Sequence, residues 1–273
     1  MAAIRDGMPA LCLALISVIG SACDPTAEPA ITVADLGKHT HIHGIAVASA
    51  NTSPLLLATH DGISSATPDG LVTRVSQDIF DLMSFSAHPE DLDVLFASGH
   101  PKDGGDLAFM RSQDAGKTWN LLSTGSTTQN DFHRMAVSRA DSQTIFAANS
   151  GLHVSRDGGN TWTFVAPLPD GLVDLAASSL DRDRLYAATE QGLLFSTDSG
   201  ITWQPAHARR SLTTLVQGAA DRTVFAFIPG VGLLRAKEPS LQWVFVSNDF
   251  AGRALLHLAT DSPASTDNDT RMR

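Results

Sequence analysis

At 273 residues the chain is long enough for one large all-β domain with a substantial core. Its formal charge of −10 argues against nucleic acid as a partner, because a phosphate backbone would be repelled. Gly, Pro, Asp, Ser and Thr separate short apolar runs and long amphipathic helical patterns are missing, which favours many short strands joined by turns.

Residues 1–22 read as an export signal. Arg5 is a short charged start, and 9–19 is an apolar run of the length of a signal core, too short for a secure membrane span. Gly20-Ser21-Ala22-Cys23 resembles a bacterial lipoprotein cleavage box with Cys23 as the lipidated residue, although Gly20 stands where Leu is usual. Asp24 behind it resembles an inner-membrane retention signal. The resemblance implies a periplasmic or cell-surface protein held to the membrane by a lipid anchor; an ordinary cleaved signal with an incidental Cys is the alternative. Cys12 falls inside the signal, so the mature chain keeps one Cys and no internal disulfide, and the core alone must hold the fold. Residues 23–30 read as a tether.

The next signal is internal repetition. Ser112 to Trp119, Ser155 to Trp162 and Ser196 to Trp203 all read S-x-D-x-G-x-T-W, with starting serines 43 and then 41 residues apart. A period near 40 means one supersecondary unit used repeatedly. In each copy the aspartate (Asp114, Asp157, Asp198) can accept backbone N–H bonds in a tight turn, the glycine permits positive φ, and the tryptophan opens an apolar strand. The stretch resembles the Asp box, or bacterial neuraminidase (BNR) repeat, of β-propellers, which lies in the hairpin between the third and fourth strands of a blade.

Aligned on the boxes, the units share a grammar. First strands fall at 43–47, 83–87, 133–137, 173–177 and 213–217, and second strands at 55–59, 94–98, 144–148, 184–189 and 223–227. Third strands open on Gly62, Gly151, Gly192 and Gly232, and fourth strands on Trp119, Trp162, Trp203 and Trp243. Five blades therefore span about 40–247. Residues 254–260 look like the first strand of a sixth unit, and 31–36 sits where a fourth strand should precede unit one. The expectation is an all-β propeller over 31–260, with five four-stranded blades and an incomplete sixth closed by both termini. A five-bladed ring is the rival. Residues 261–273 are polar and read as a disordered tail.

Propeller topology places the entry to each first strand and the loop after each second strand on one face, with the Asp boxes on the opposite one. The boxes should then be structural. His43, Met83 and His133 occupy one position in three consecutive first strands, and His41, Asp81 and Asp131 stand two residues earlier, on the same side. His60 and His100 end the second strands of units one and two. His41, His43, His60, Met83, His100 and His133 should thus converge at the channel mouth as a metal site, with Asp81 and Asp131 as auxiliary donors. The His/Met mixture suits copper, Met favouring Cu(I); His with Asp would suit zinc. A pocket for an organic ligand and a hydrogen-bonded plug are the alternatives. His39, His88, His153, His207 and His257 do not fit the cluster.

The stretches His41-Ile42-His43-Gly44, Ala58-Thr59-His60-Asp61-Gly62, Ser98-Gly99-His100-Pro101 and Asp131-Phe132-His133 are similar to a bacterial group of exported propellers called glycosylhydrolase-like. That resemblance raises a sialidase-like glycoside hydrolase. Sialidases use a Tyr nucleophile with a Glu partner, an acid Asp and three substrate-clamping arginines. Here the single tyrosine, Tyr186, aligns with Phe96 and Phe146 as a core residue, and no arginine triad is found. A periplasmic scaffold or assembly factor binding a protein partner is the third reading. The leading one is an exported, lipid-anchored propeller that handles or senses a transition metal without turnover.

Overall fold

Short runs of alternating apolar and small residues, each closed by a Gly- or Asp-containing turn, can bury their faces only by stacking on similar runs. A computed structural model describes residues 31–48, 54–101, 109–123 and 132–260. The export signal, Cys23, the tether, Asp131 and the 261–273 tail lie outside these residues. Blade one comprises β2 (Ile42–Val47), β3 (Leu55–Thr59), β4 (Gly62–Ala66) and β5 (Leu71–Arg74), preceded by β1 (Ile31–Thr32) and a single helical turn α1 (Val33–Leu36). Blade two is β6 (Phe80–Ala87), β7 (Leu95–Pro101), β8 (Phe109–Ser112) and β9 (Asn120–Ser123). Blade three is β10 (Arg134–Val137), β11 (Ile145–Ala148), β12 (Leu152–Ser155) and β13 (Thr163–Ala166). Blade four is β14 (Leu172–Ala177), β15 (Leu185–Thr189), β16 (Gly192–Ser196) and β17 (Gln204–Pro205). Blade five is β18 (Leu215–Gly218), β19 (Thr223–Ile228), β20 (Gly232–Lys237) and β21 (Val244–Ser247).

Each blade is an antiparallel meander in chain order, and together they form a five-bladed β-propeller. Apolar residues from adjoining blades interlock. Leu56 and Ile63 of blade one pack with Leu82, Leu95 and Met110 of blade two. Phe96 and Phe109 meet Met135, Val137 and Ile145, Phe146 and Leu152 meet Leu175 and Leu185, and Tyr186 and Leu193 meet Val216 and Val224.

The closure departs from the expected shared sixth blade. The amino-terminal strand β1 pairs with β5, so it widens blade one to five strands. Leu36 of α1 packs on Leu57, Ala66 and Val72, covering the face of blade one turned away from blade two. At the other end, residues 253–260 form no strand. They run along the channel, joined to blade five by Thr214 Oγ1 donating to Leu255 O (2.8 Å) and to blade one by His257 Nε2 donating to Ile42 O (2.9 Å). This segment has no second strand after it among the described residues, so its backbone has no ladder to enter, and it bridges β18 and β2 through side chains instead.

The three S-x-D-x-G-x-T-W turns connect third and fourth strands as their chemistry requires. Asp157 accepts from Thr161 N at 2.8 Å and from Thr161 Oγ1 at 2.6 Å, while Ser155 Oγ accepts from Gly159 N at 2.8 Å. Asp114 with Thr118 and Asp198 with Thr202 repeat this pattern to within 0.1 Å. Hydrogen bonds from these threonines hold the carboxyls of Asp114, Asp157 and Asp198 below the usual carboxylate range against the opposing effect of burial.

Candidate metal centre

The site begins with a bulge. On β2, Ile42 pairs with Thr59 and Gly44 with Ala58, leaving His43 as the extra residue. The same irregularity falls at Met83 of β6 and Val173 of β14. A bulge leaves one residue outside the ladder and re-aims its side chain. The sequence alignment of His43 with Met83 and Val173 therefore corresponds to a real structural position.

His60 reaches the same spot from the turn joining β3 to β4. Thr59 Oγ1 accepts from Asp61 N and donates to Gly62 O, both at 3.0 Å, which closes the turn. His60 N donates to Thr40 Oγ1 at 3.2 Å, tying this turn to the residue before His41. Blade two comes in close because β2 carries glycine where it meets β6: a Cβ on Gly44 would lie 2.9 Å from Cβ of Phe85. That approach lets the Asp81 carboxylate of β6 accept a short hydrogen bond from His60 Nδ1.

These constraints gather three imidazoles. One ring nitrogen from each of His41, His43 and His60 lies within 4.8 Å of the other two. Nε2 of His43 and Nε2 of His60 are 3.2 Å apart. Since Asp81 takes the Nδ1 proton of His60, the Nε2 of a neutral His60 carries a lone pair, and His43 Nε2–H donates to it. Two nitrogens bound to one tetrahedral ion at about 2.0–2.1 Å would be separated by about 3.3 Å. The spacing of these two nitrogens matches that of a metal in place of the shared proton, and His41 would close in from within 4.8 Å. The carboxylate–imidazole pair is also the outer support that orients a histidine ligand and raises its basicity.

Burial, followed by the neighbouring His60, holds the His43 pKa down to about 4. The ring is thus neutral, as a ligand must be, well below the pH at which an ordinary histidine protonates. The unfolded chain takes up a proton at His43 near pH 6.5, which the folded chain refuses until about pH 4. Stability should therefore fall as pH drops through that window and be independent of His43 above it. Chemical denaturation at several pH values should show a shallower acid loss in His43→Gln than in the wild type.

The remaining expected ligands are placed less tightly. His100 pairs in register with Asp81, and His133 is exposed at the start of blade three. Neither joins the three nitrogens grouped within 4.8 Å. Met83 holds the His43 position one blade on. Asp131 lies outside the described residues.

Two channel residues were not singled out by the sequence. Asp174 follows the Val173 bulge and accepts from Val216 N at 2.9 Å, joining blades four and five; burial pushes its pKa up to about 6. His257 lies on the carboxy-terminal segment and influences His43 electrostatically. A signal for Asp174 was available, as a lone carboxylate in a first strand. Tyr186 is fully buried between blades four and five, and its hydroxyl donates to Glu238 Oε1 at 2.7 Å. The Tyr–Glu pair is thus a core contact with no access for a sugar.

The molecule is a five-bladed β-propeller in which the imidazoles of His41, His43 and His60 gather. No family model and no curated protein matches the chain. Solved structures do. It is similar to a GH74 xyloglucanase from Xanthomonas campestris, at 21% identity and a TM-score of 0.56, over 76% of this chain and 31% of that one. A GH74 enzyme from Niastella koreensis matches at 18% identity and 0.52, over 76% and 31%. A gluconolactonase from Xanthomonas campestris matches at 17% and 0.48, over 68% of each chain. The chain spans about a third of the length of the two GH74 enzymes. At these identities the likeness establishes the propeller fold alone.

Proposed function

We propose that the protein is an exported, lipid-anchored propeller that binds a transition-metal ion through His41, His43 and His60, for handling or sensing rather than turnover. The observation that carries this reading is the 3.2 Å approach of two Nε2 atoms with His60 keyed by Asp81. Three imidazoles form a borderline donor set, for which Cu(II) outranks the other divalent first-row metals and Zn(II) is the common rival. Met83 at the equivalent bulge supplies a soft donor one blade away, which favours copper in its Cu(I) state. The export signal and Cys23 would deliver the propeller to a membrane surface, where metal ions arrive from outside.

The test is direct. Untagged protein titrated calorimetrically with Cu(II) and with Zn(II) should take up one equivalent with a dissociation constant of roughly micromolar or tighter. Fatty-acid labelling of cells should mark the protein and be lost in Cys23→Ser. If neither metal binds tighter than about 100 µM, the metal reading is wrong.

A further inference from the structure

We propose that His257 is a fourth ligand of the same site, delivered by residues 253–260, so that metal binding and seating of that segment in the channel form one linked equilibrium. The proposal rests on the metal reading above. Three features support it. His257 Nε2 lies 2.9 Å from Ile42 O, the carbonyl immediately before His43. A carbonyl only accepts, so Nε2 carries the proton and Nδ1 of the neutral ring carries the lone pair. This is the arrangement of a histidine ligand whose second nitrogen is braced by backbone; His257 stands outside the group of nitrogens within 4.8 Å of one another, so ligation would draw its ring toward them. Burial lowers the His257 pKa, which keeps the ring in this neutral form.

The segment itself is suited to respond. It has no strand pairing, and in its distal part Thr260 Oγ1 donates to Gly218 O at 3.4 Å and accepts from Arg139 at 3.3 Å. Residues 256–260 line the same channel cavity, of about 130 Å³, as Gly44, Phe85, Met135 and Asp174. A segment without strand pairing, held in a lined channel by isolated side-chain hydrogen bonds, is the kind of element that can open locally. A ligand that grips the element only when it is seated would shift that balance, and by reciprocity a seated element would tighten the ligand.

A three-imidazole tetrahedral ion has one open position, and His257 is a neutral imidazole already hydrogen-bonded to the carbonyl of Ile42, the residue between His41 and His43. Filling that position would convert an open site into a closed one.

The experiment uses Zn(II) alone as the probe on the full untagged protein. Affinity is read by chelator competition, and hydrogen exchange is followed at 253–260 with and without Zn(II). Wild type should bind, and Zn(II) should slow exchange across 253–260. His257→Gln keeps a donor for the Ile42 carbonyl and lacks the imidazole, so it should fold normally, bind roughly 10- to 100-fold more weakly, and lose the metal-dependent protection. His257→Ala should behave alike. Unchanged affinity in both variants, with 253–260 exchange indifferent to Zn(II) in the wild type, would overturn the role of His257 and leave the three-histidine site standing. Absence of any Zn(II) binding to the wild type would bring down both.

Discussion

Gly159→Ala should lower the melting temperature by about 5–15 °C, whereas Gly158→Ala beside it should change it little. Both residues have positive φ, 94° and 69°. What differs is the space. A Cβ on Gly159 would fall 2.0 Å from Phe109, a fully buried ring stacked on Phe96 and met edge-on by Trp162. That ring has nowhere to go. Left-handed strain and overpacking together cost about 2–5 kcal/mol. A Cβ on Gly158 meets only the end of the Gln143 side chain at 3.0 Å. The other turns already carry Ala115 and Ser199 at that position, at φ 58° and 63°. At the Gly159 position they keep Gly116 and Gly200, whose added Cβ atoms would meet Ile63 at 3.1 Å and Leu152 at 2.2 Å. The glycine of each turn is thus the joint at which one blade seats on the third strand of the blade before it. Thermal unfolding of the two variants decides the matter: equal losses would mean that turn conformation, and not blade contact, sets the requirement.

That joint explains why so much of the fold was legible in the sequence. A blade is a local unit, and each turn records its own register in Ser, Asp, Gly, Thr and Trp at fixed spacing. The register carried the histidine alignment with it, and the bulges at His43, Met83 and Val173 coincide with it. Closure was not legible, because it depends on partners far apart in the chain. The run 254–260 looks like a first strand, yet a strand needs a neighbour, and β1 had already gone to β5. His257 looked unremarkable for the same reason: its meaning comes from Ile42, 215 residues away. His100 and His133 show the finer limit. Placing a residue at one end of a propeller is a matter of register, but bringing its nitrogen within bonding range depends on the turn that carries it. His60 has a turn closed by Thr59 and Thr40, and its ring is held by Asp81.

The double variant His43→Ala/His60→Ala should lose metal binding by roughly a thousandfold or more, because a single imidazole cannot chelate. It should do so without unfolding the ring. His41 is exposed and His43 and His60 are only partly buried, so their removal leaves the apolar joints between blades untouched. Asp81→Asn refines the prediction. The amide oxygen can still accept from His60 Nδ1, so the ring stays aimed, but the negative charge that strengthens His60 as a donor is gone. Affinity should fall about 10- to 100-fold. Metal titrations of the two variants and the wild type separate the roles. If Asp81→Asn binds as tightly as wild type while the double variant does not, the carboxylate is a hydrogen-bond partner of the turn and the imidazoles alone make the site. If the double variant still binds, the ion sits elsewhere, and the 3.2 Å contact between His43 and His60 is a proton-sharing clasp that pins the β3–β4 turn to β2.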